Sequence, residues 1–73
     1  MKVREKIPFE KLDGVLKLVS SAEKELKSVG GRVLLRYSGT EPKARLLLEG
    51  RDAKVLESWS KKICGAIQKQ IGV

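Results

Sequence analysis

The side chains best suited to chemistry in this sequence lie together in Arg36-Tyr37-Ser38-Gly39-Thr40-Glu41-Pro42-Lys43-Ala44-Arg45. A phosphate group presents several oxygens and a concentrated negative charge. It is held by guanidinium forks, hydroxyl donors and converging main-chain N–H groups. Arg36 and Arg45 supply the forks and Ser38 and Thr40 the hydroxyls, while Gly39 offers a backbone without a Cβ that a ligand can approach closely. Pro42 stiffens the stretch and lowers the entropy lost in holding it. Glu41 is the odd member, because a carboxylate repels phosphate; its expected work is to orient an arginine or to brace the loop. Ser, Gly, Thr and Pro also make ordinary hairpin turns, so composition leaves a plain turn and an anion site both open.

Flanking strands must position these groups. Val33, Leu35 and Tyr37 alternate with Arg32, Leu34 and Arg36, and Leu46 and Leu48 alternate with Arg45, Leu47 and Glu49. The short connector between the two runs predicts an antiparallel hairpin. Alternation then sends Arg36 and Arg45 out of one face, with Leu34 and Leu47 beside them and Tyr37 turned inward. A face mixing leucine and arginine suits either a surface that meets something else or scattered surface apolars.

Upstream, Lys2–Ile7 reads as a short edge strand stopped by Pro8. Asp13 is the expected N-cap of an amphipathic helix running to about Ser28, with Val15, Leu16, Val19, Ala22, Leu26 and Val29 at helical spacing and Gly30-Gly31 ending it. Asp52 caps a last helix whose stripe is Val55, Leu56, Trp59, Ile63, Ala66, Ile67 and Ile71, with Gly65 inside it permitting close packing. The expected core is Val33, Leu35, Leu46, Leu48, Leu16, Val19, Trp59 and Ile63. The order β-α-β-β-α predicts an α+β fold, a small antiparallel sheet of about three strands with two helices on one face.

A chain of 73 residues makes a single domain, 1–73. Its 41% hydrophobic and 34% charged residues form a foldable mixture. Lys and Arg number 16 against 9 acidic residues, and the net charge of +7 invites an anionic partner. Nucleic acid, a membrane surface and phosphorylated metabolites all qualify. A sheet that reads nucleic acid usually presents several stacking rings, and here Phe9, Tyr37 and Trp59 are the only aromatics. The absence of His removes His-based acid–base catalysis and His metal sites, and the single Cys64 excludes an intrachain disulfide and a multi-Cys zinc site. No apolar run exceeds the three residues of Val33-Leu34-Leu35 or Leu46-Leu47-Leu48. No transmembrane span or signal segment is therefore expected, and the cytoplasm is the expected compartment.

Arg36, Ser38-Gly39-Thr40-Glu41-Pro42 and Arg45 follow the pattern Arg, any residue, Ser-Gly-Thr-Glu-Pro, two residues, Arg. This resembles the phosphate-binding loop in the C-terminal domain of the α-D-phosphohexomutase superfamily, and the order of elements agrees along nearly the whole chain. The lead-in Val3–Phe9 together with Arg32–Pro42 is most similar to the bacterial phosphoglucosamine mutases. Phosphomannomutase and phosphoglucomutase are the alternatives inside the superfamily. A basic nucleic-acid-binding α+β module, or a free-standing sensor of a phosphosugar, is the alternative outside it.

The resemblance implies a TATA-binding-protein-like fold and a chain that is the excised fourth domain of a four-domain isomerase, inactive alone. It implies phosphate binding by Arg36, Ser38, Gly39, Thr40 and Arg45, loop support by Glu41 and Pro42, and no catalytic or metal-ligating residue in this segment. Three upstream domains are implied to bring a phosphoserine, Mg²⁺ and the groups that read sugar hydroxyls. A hexosamine 1,6-bisphosphate would then lie between glucosamine 6-phosphate and glucosamine 1-phosphate. The implied partners are the phosphosugar and those three domains, with neither nucleic acid nor membrane.

Overall fold

The computed structural model describes residues 1–72. A short 3₁₀ turn at Phe9–Lys11 precedes helix α1 (Val15–Lys27), strands β1 (Arg32–Tyr37) and β2 (Ala44–Glu49), and helix α2 (Ala53–Ile71). The two alternating runs pair antiparallel as expected, with Arg32 opposite Glu49, Leu34 opposite Leu47 and Arg36 opposite Arg45. Val33, Leu35, Tyr37, Ala44 and Leu46 turn inward to the core, while Leu34 and Leu47 stay 44% and 42% exposed on the outer face. Both helices pack on the hairpin and on each other. The result is a small α+β fold with a two-stranded antiparallel sheet.

The expected first strand is reduced to single bridges, Lys2 with Lys43 and Val3 with Gly72. It is also not an edge. The Val3 N–H donates to the Pro42 carbonyl at 2.8 Å and the Arg4 N–H to the Ile71 carbonyl at 2.7 Å. The chain is thus held between the start of β2 and the end of α2, and it bends at Arg4-Glu5 once those two unlike partners diverge.

Helix α1 does not use Asp13 as its cap. Gly14, at φ 76°, takes that position because the Asp13 main chain is engaged elsewhere. Its N–H donates to Gln70 Oε1 at 2.7 Å, and Gln70 Nε2 donates back to its carbonyl at 2.8 Å. The left-handed backbone required for the reversal suits glycine. At the other end Gly31 N–H donates to the Leu26 carbonyl at 2.7 Å and Gly30 N–H to the Lys27 carbonyl at 3.2 Å, closing the helix as the sequence predicts. A Cβ on Gly31 would lie 2.2 Å from the Glu49 carbonyl oxygen, so only glycine fits where the chain passes into β1.

The buried stripe of α1 is Val15, Val19, Ala22 and Leu26. Leu16 and Val29, expected inside, are 48% and 45% exposed; a 100° step from the buried Val15 turns Leu16 to solvent, and Val29 lies in the turn past the end of α1. Asp52 caps α2 as expected, its carboxylate accepting from Lys54 N–H at 2.9 Å and Val55 N–H at 3.4 Å. Ile63, Ile67 and Ile71 carry its buried face. Trp59 is only half-buried, which corrects its place in the core. Its indole N–H needs a partner and finds Glu25 Oε2 at 2.8 Å, with Lys62 Nζ 4.7 Å over the ring, at the rim between the helices. Gly65 packs against nothing; a Cβ there meets no atom within 4 Å. Val3 and Leu12, 2% and 5% exposed, complete the core from outside the regular elements.

Candidate anion-binding site

β1 ends at Tyr37 and β2 begins at Ala44, so residues 38–43 form the hairpin connection. The register places Arg36 directly opposite Arg45, one rung from the loop and on the outer face. Like charges directly opposite on a sheet destabilise it. Arg32 is neutralised by Glu49 at 2.9 Å. Among the described residues neither Arg36 nor Arg45 makes an ion pair. The two guanidinium groups therefore concentrate uncompensated charge at the loop end of the sheet.

That end is concave. Arg36, Tyr37, Ser38, Gly39, Thr40 and Arg45 line a recess of about 350 Å³. Every residue expected to hold phosphate is thus brought to one place. Ser38 is buried, and its N–H donates to the Lys43 carbonyl at 2.8 Å, closing the loop. The N–H groups of Gly39, Thr40 and Glu41 have no backbone partner among the described residues. Two arginines, two hydroxyls and consecutive unpaired amides are donors without a matching acceptor, the complement of a multiply charged oxyanion.

Glu41 and Pro42 fall outside this recess and line a second one with Lys2, Val3 and Lys43. Lys43 N–H donates to the Glu41 carbonyl at 2.8 Å, making a tight turn around Pro42. Glu41 Oε2 also meets Lys43 Nζ at 2.9 Å. Among the described residues Glu41 makes no ion pair with an arginine. The hydrogen bond from Lys43, then its charge, holds the Glu41 carboxyl below the usual carboxylate range, with the charge of Arg45 adding to the effect. Its repulsion of an anion is blunted by the same contact.

Two residues of the site escape the sequence pattern. Tyr37 belongs to the inner face, as expected, yet it also lines the recess. Its hydroxyl donates to the Ile7 carbonyl, its ring stacks on Phe9 at 4.2 Å, and burial pushes its phenol pKa up. Lys6 Nζ donates to the Ser38 carbonyl at 2.5 Å. Nothing in local spacing signals a contact between segments so far apart in the chain. Among the described residues no three His, Cys, Asp or Glu side chains converge. Among the described residues no helix is long and apolar enough to cross a membrane.

The model of the family described as phosphoglucomutase/phosphomannomutase, C-terminal domain, matches residues 1–66, and the chain belongs to that family. Curated relatives of this chain include phosphoglucosamine mutases. That of Myxococcus xanthus is 44% identical over 71 residues, covering 97% of this chain and 15% of the relative. That of Anaeromyxobacter dehalogenans is 46% identical over 72 residues, covering 99% and 16%. That of Geobacter metallireducens is 40% identical over 72 residues, again covering 99% and 16%. The chain thus spans only 15–16% of the length of these relatives. No solved structure matches it at a significant level.

Proposed function

We propose that this chain is the phosphate-gripping domain of a phosphosugar mutase, an isomerase that interconverts glucosamine 6-phosphate and glucosamine 1-phosphate. The observation that carries the reading is the Arg36–Arg45 pair, directly opposite across the sheet and without a carboxylate partner among the described residues. Such a pair costs the free fold stability, and a bound anion removes the cost. The glucosamine assignment draws on the name shared by the relatives; mannose and glucose phosphates are the alternative at the level of the family.

In this reading three further domains of the same cytoplasmic enzyme supply the phosphoserine and Mg²⁺. The phosphoserine passes its phosphoryl group to a sugar monophosphate, giving a bisphosphate. The sugar turns over, and its other phosphoryl group returns to the serine. Whichever phosphate is not being transferred must be held, first at one end of the sugar and then at the other. A site serving both half-reactions has to read phosphate alone. Arg36, Arg45, Ser38, Thr40 and the loop amides suit that demand, since they offer donors for oxygen and no surface shaped for a ring. Their contribution is binding and orientation rather than proton transfer. Closing the domain over the sugar also excludes water from a phosphoenzyme prone to hydrolysis. The chain alone carries no phosphoryl-accepting serine in this scheme and is inactive.

The TATA-binding-protein-like architecture belongs to the same proposal; the two helices packed on an antiparallel hairpin support it. A nucleic-acid-binding module fits less well. Leu34, Leu47, Arg36 and Arg45 lie on the outer face, whereas Phe9 and Tyr37 stack on each other and Trp59 lies against Glu25. Titration of the chain with inorganic phosphate, followed by amide chemical shifts, should move Ser38 to Lys43 with a dissociation constant on the order of 1 mM. Shifts that cluster instead on the helical lysines, such as Lys17, Lys24, Lys54 and Lys61, would replace the loop site with nonspecific charge.

A further inference from the structure

We infer that Lys6 is a positioning residue of the anion loop, acting through the Ser38 carbonyl rather than by touching the anion. The inference deepens the phosphate-gripping reading and rests on it. Its basis is one contact across 32 residues of sequence: Lys6 Nζ donates to the Ser38 carbonyl oxygen at 2.5 Å.

A trans peptide is planar, so its carbonyl oxygen and its N–H point to opposite sides. The oxygen of Ser38 and the N–H of Gly39 belong to the same peptide. Holding the oxygen toward Lys6 therefore holds the Gly39 N–H facing away from Lys6. Gly39 has no Cβ to restrict its backbone, and its N–H has no backbone partner among the described residues. Lys6 restrains the rotation of this peptide. An ammonium on the carbonyl also polarises the peptide and makes the Gly39 N–H a stronger donor.

The placement of Lys6 is itself braced. The Tyr37 hydroxyl donates to the carbonyl of Ile7, the next residue. The Phe9 ring stacks on Tyr37 with centroids 4.2 Å apart and planes 13° apart. The same lead-in holds the far end of the loop: Val3 N–H donates to the Pro42 carbonyl and Ala44 N–H to the Met1 carbonyl, each at 2.8 Å. Residues 1–9 thus grip both ends of the connection, and Lys6 acts on a peptide that lines the recess.

The test uses inorganic phosphate, the 73-residue chain and amide chemical shifts. Lys6→Met should weaken phosphate binding by about three- to tenfold, the range for losing one ordinary net hydrogen bond, since Lys6 acts on the anion only through the peptide. It should move the Gly39 amide signal before phosphate is added. Lys6→Arg should restore both. The loss should persist in about 0.5 M sodium chloride, where exposed charges are screened within a few ångström. Lys11→Met removes an equal charge from the 3₁₀ turn, and the Lys11 side chain makes no ion pair among the described residues. If Lys6→Met does not fold, Lys6→Gln, a neutral donor, replaces it in the comparison. A loss no greater than that of Lys11→Met, or one that vanishes in salt, overturns the positioning role and leaves the anion site standing. A wild-type chain with no phosphate response in the loop overturns both readings together.

Discussion

Replacing Arg45 by Gln should leave the free domain as stable as before, or slightly more so, and should remove much of its stabilisation by phosphate. The two guanidinium groups leave opposite positions of one face. With the charges about 7 Å apart, allowing for splay beyond the cross-strand Cβ spacing, their repulsion in water is about 0.6 kcal/mol. Salt at about 0.1 M roughly halves it. No ion pair is lost among the described residues, since Arg45 makes none. The linkage term runs the other way. A ligand at about 100 times its dissociation constant, such as about 100 mM phosphate on a site of about 1 mM, stabilises by about 2.7 kcal/mol. If Arg45→Gln weakens the site about tenfold, as for the loss of one charge-assisted fork, about 1.4 kcal/mol remains. The difference of about 1.3 kcal/mol corresponds to a Tm shift of about 5–10 °C in a domain of this size. Thermal unfolding of both proteins, in chloride and in phosphate at equal ionic strength, measures it. Nonspecific strengthening of burial by phosphate acts on both chains and cancels in the comparison. The expected result is a crossover, with the variant equal or ahead in chloride and behind in phosphate. Parallel curves, with the same gain for both, would refute the reasoning that the arginine pair is kept for an anion.

Gly65→Ala should stabilise the chain by about 1 kcal/mol in thermal unfolding, because alanine is the better helix former and its Cβ meets no atom within 4 Å; a loss of stability would place a partner against that face. Gly31→Ala should instead be strongly destabilising, its Cβ falling 2.2 Å from the Glu49 carbonyl. The Glu41 carboxyl should titrate below its ordinary 4.5, and Lys43→Met should raise it back toward that value in a carboxyl NMR titration. The sign follows from the lowered folded-state pKa: the contribution to stability is present above the unfolded value and is lost as pH falls through the folded one. A midpoint indifferent to Lys43→Met would remove Lys43 as the cause.

Much of the site was legible because strand alternation has a period of two. Once Arg32–Tyr37 and Ala44–Glu49 are read as a hairpin, the common face of Arg36 and Arg45 follows from counting. Asp52 and Gly30-Gly31 were equally legible, because caps and glycine stops satisfy backbone groups within a few residues of themselves. What the tertiary structure alone decided depends on partners distant in sequence. Asp13 looked like a cap, and lost that role because Gln70 takes its main chain. Lys2–Ile7 has the pattern of a strand, but the length of a strand is set by how far its neighbours run beside it, and here only Lys2 and Val3 form bridges, with Lys43 and Gly72. Leu16 and Trp59 have the right chemistry for a core, yet which edge of a helical stripe is covered depends on where the other helix crosses. The partner of Glu41, Lys43 Nζ at 2.9 Å, is also a matter of how the loop folds. Lys6 carried no reading, because the peptide it holds lies in the hairpin connection, 32 residues later in the chain. Periodicity and capping are local forces and are written in adjacent residues; long-range pairing is decided by packing, and a sequence records its outcome only at positions far apart.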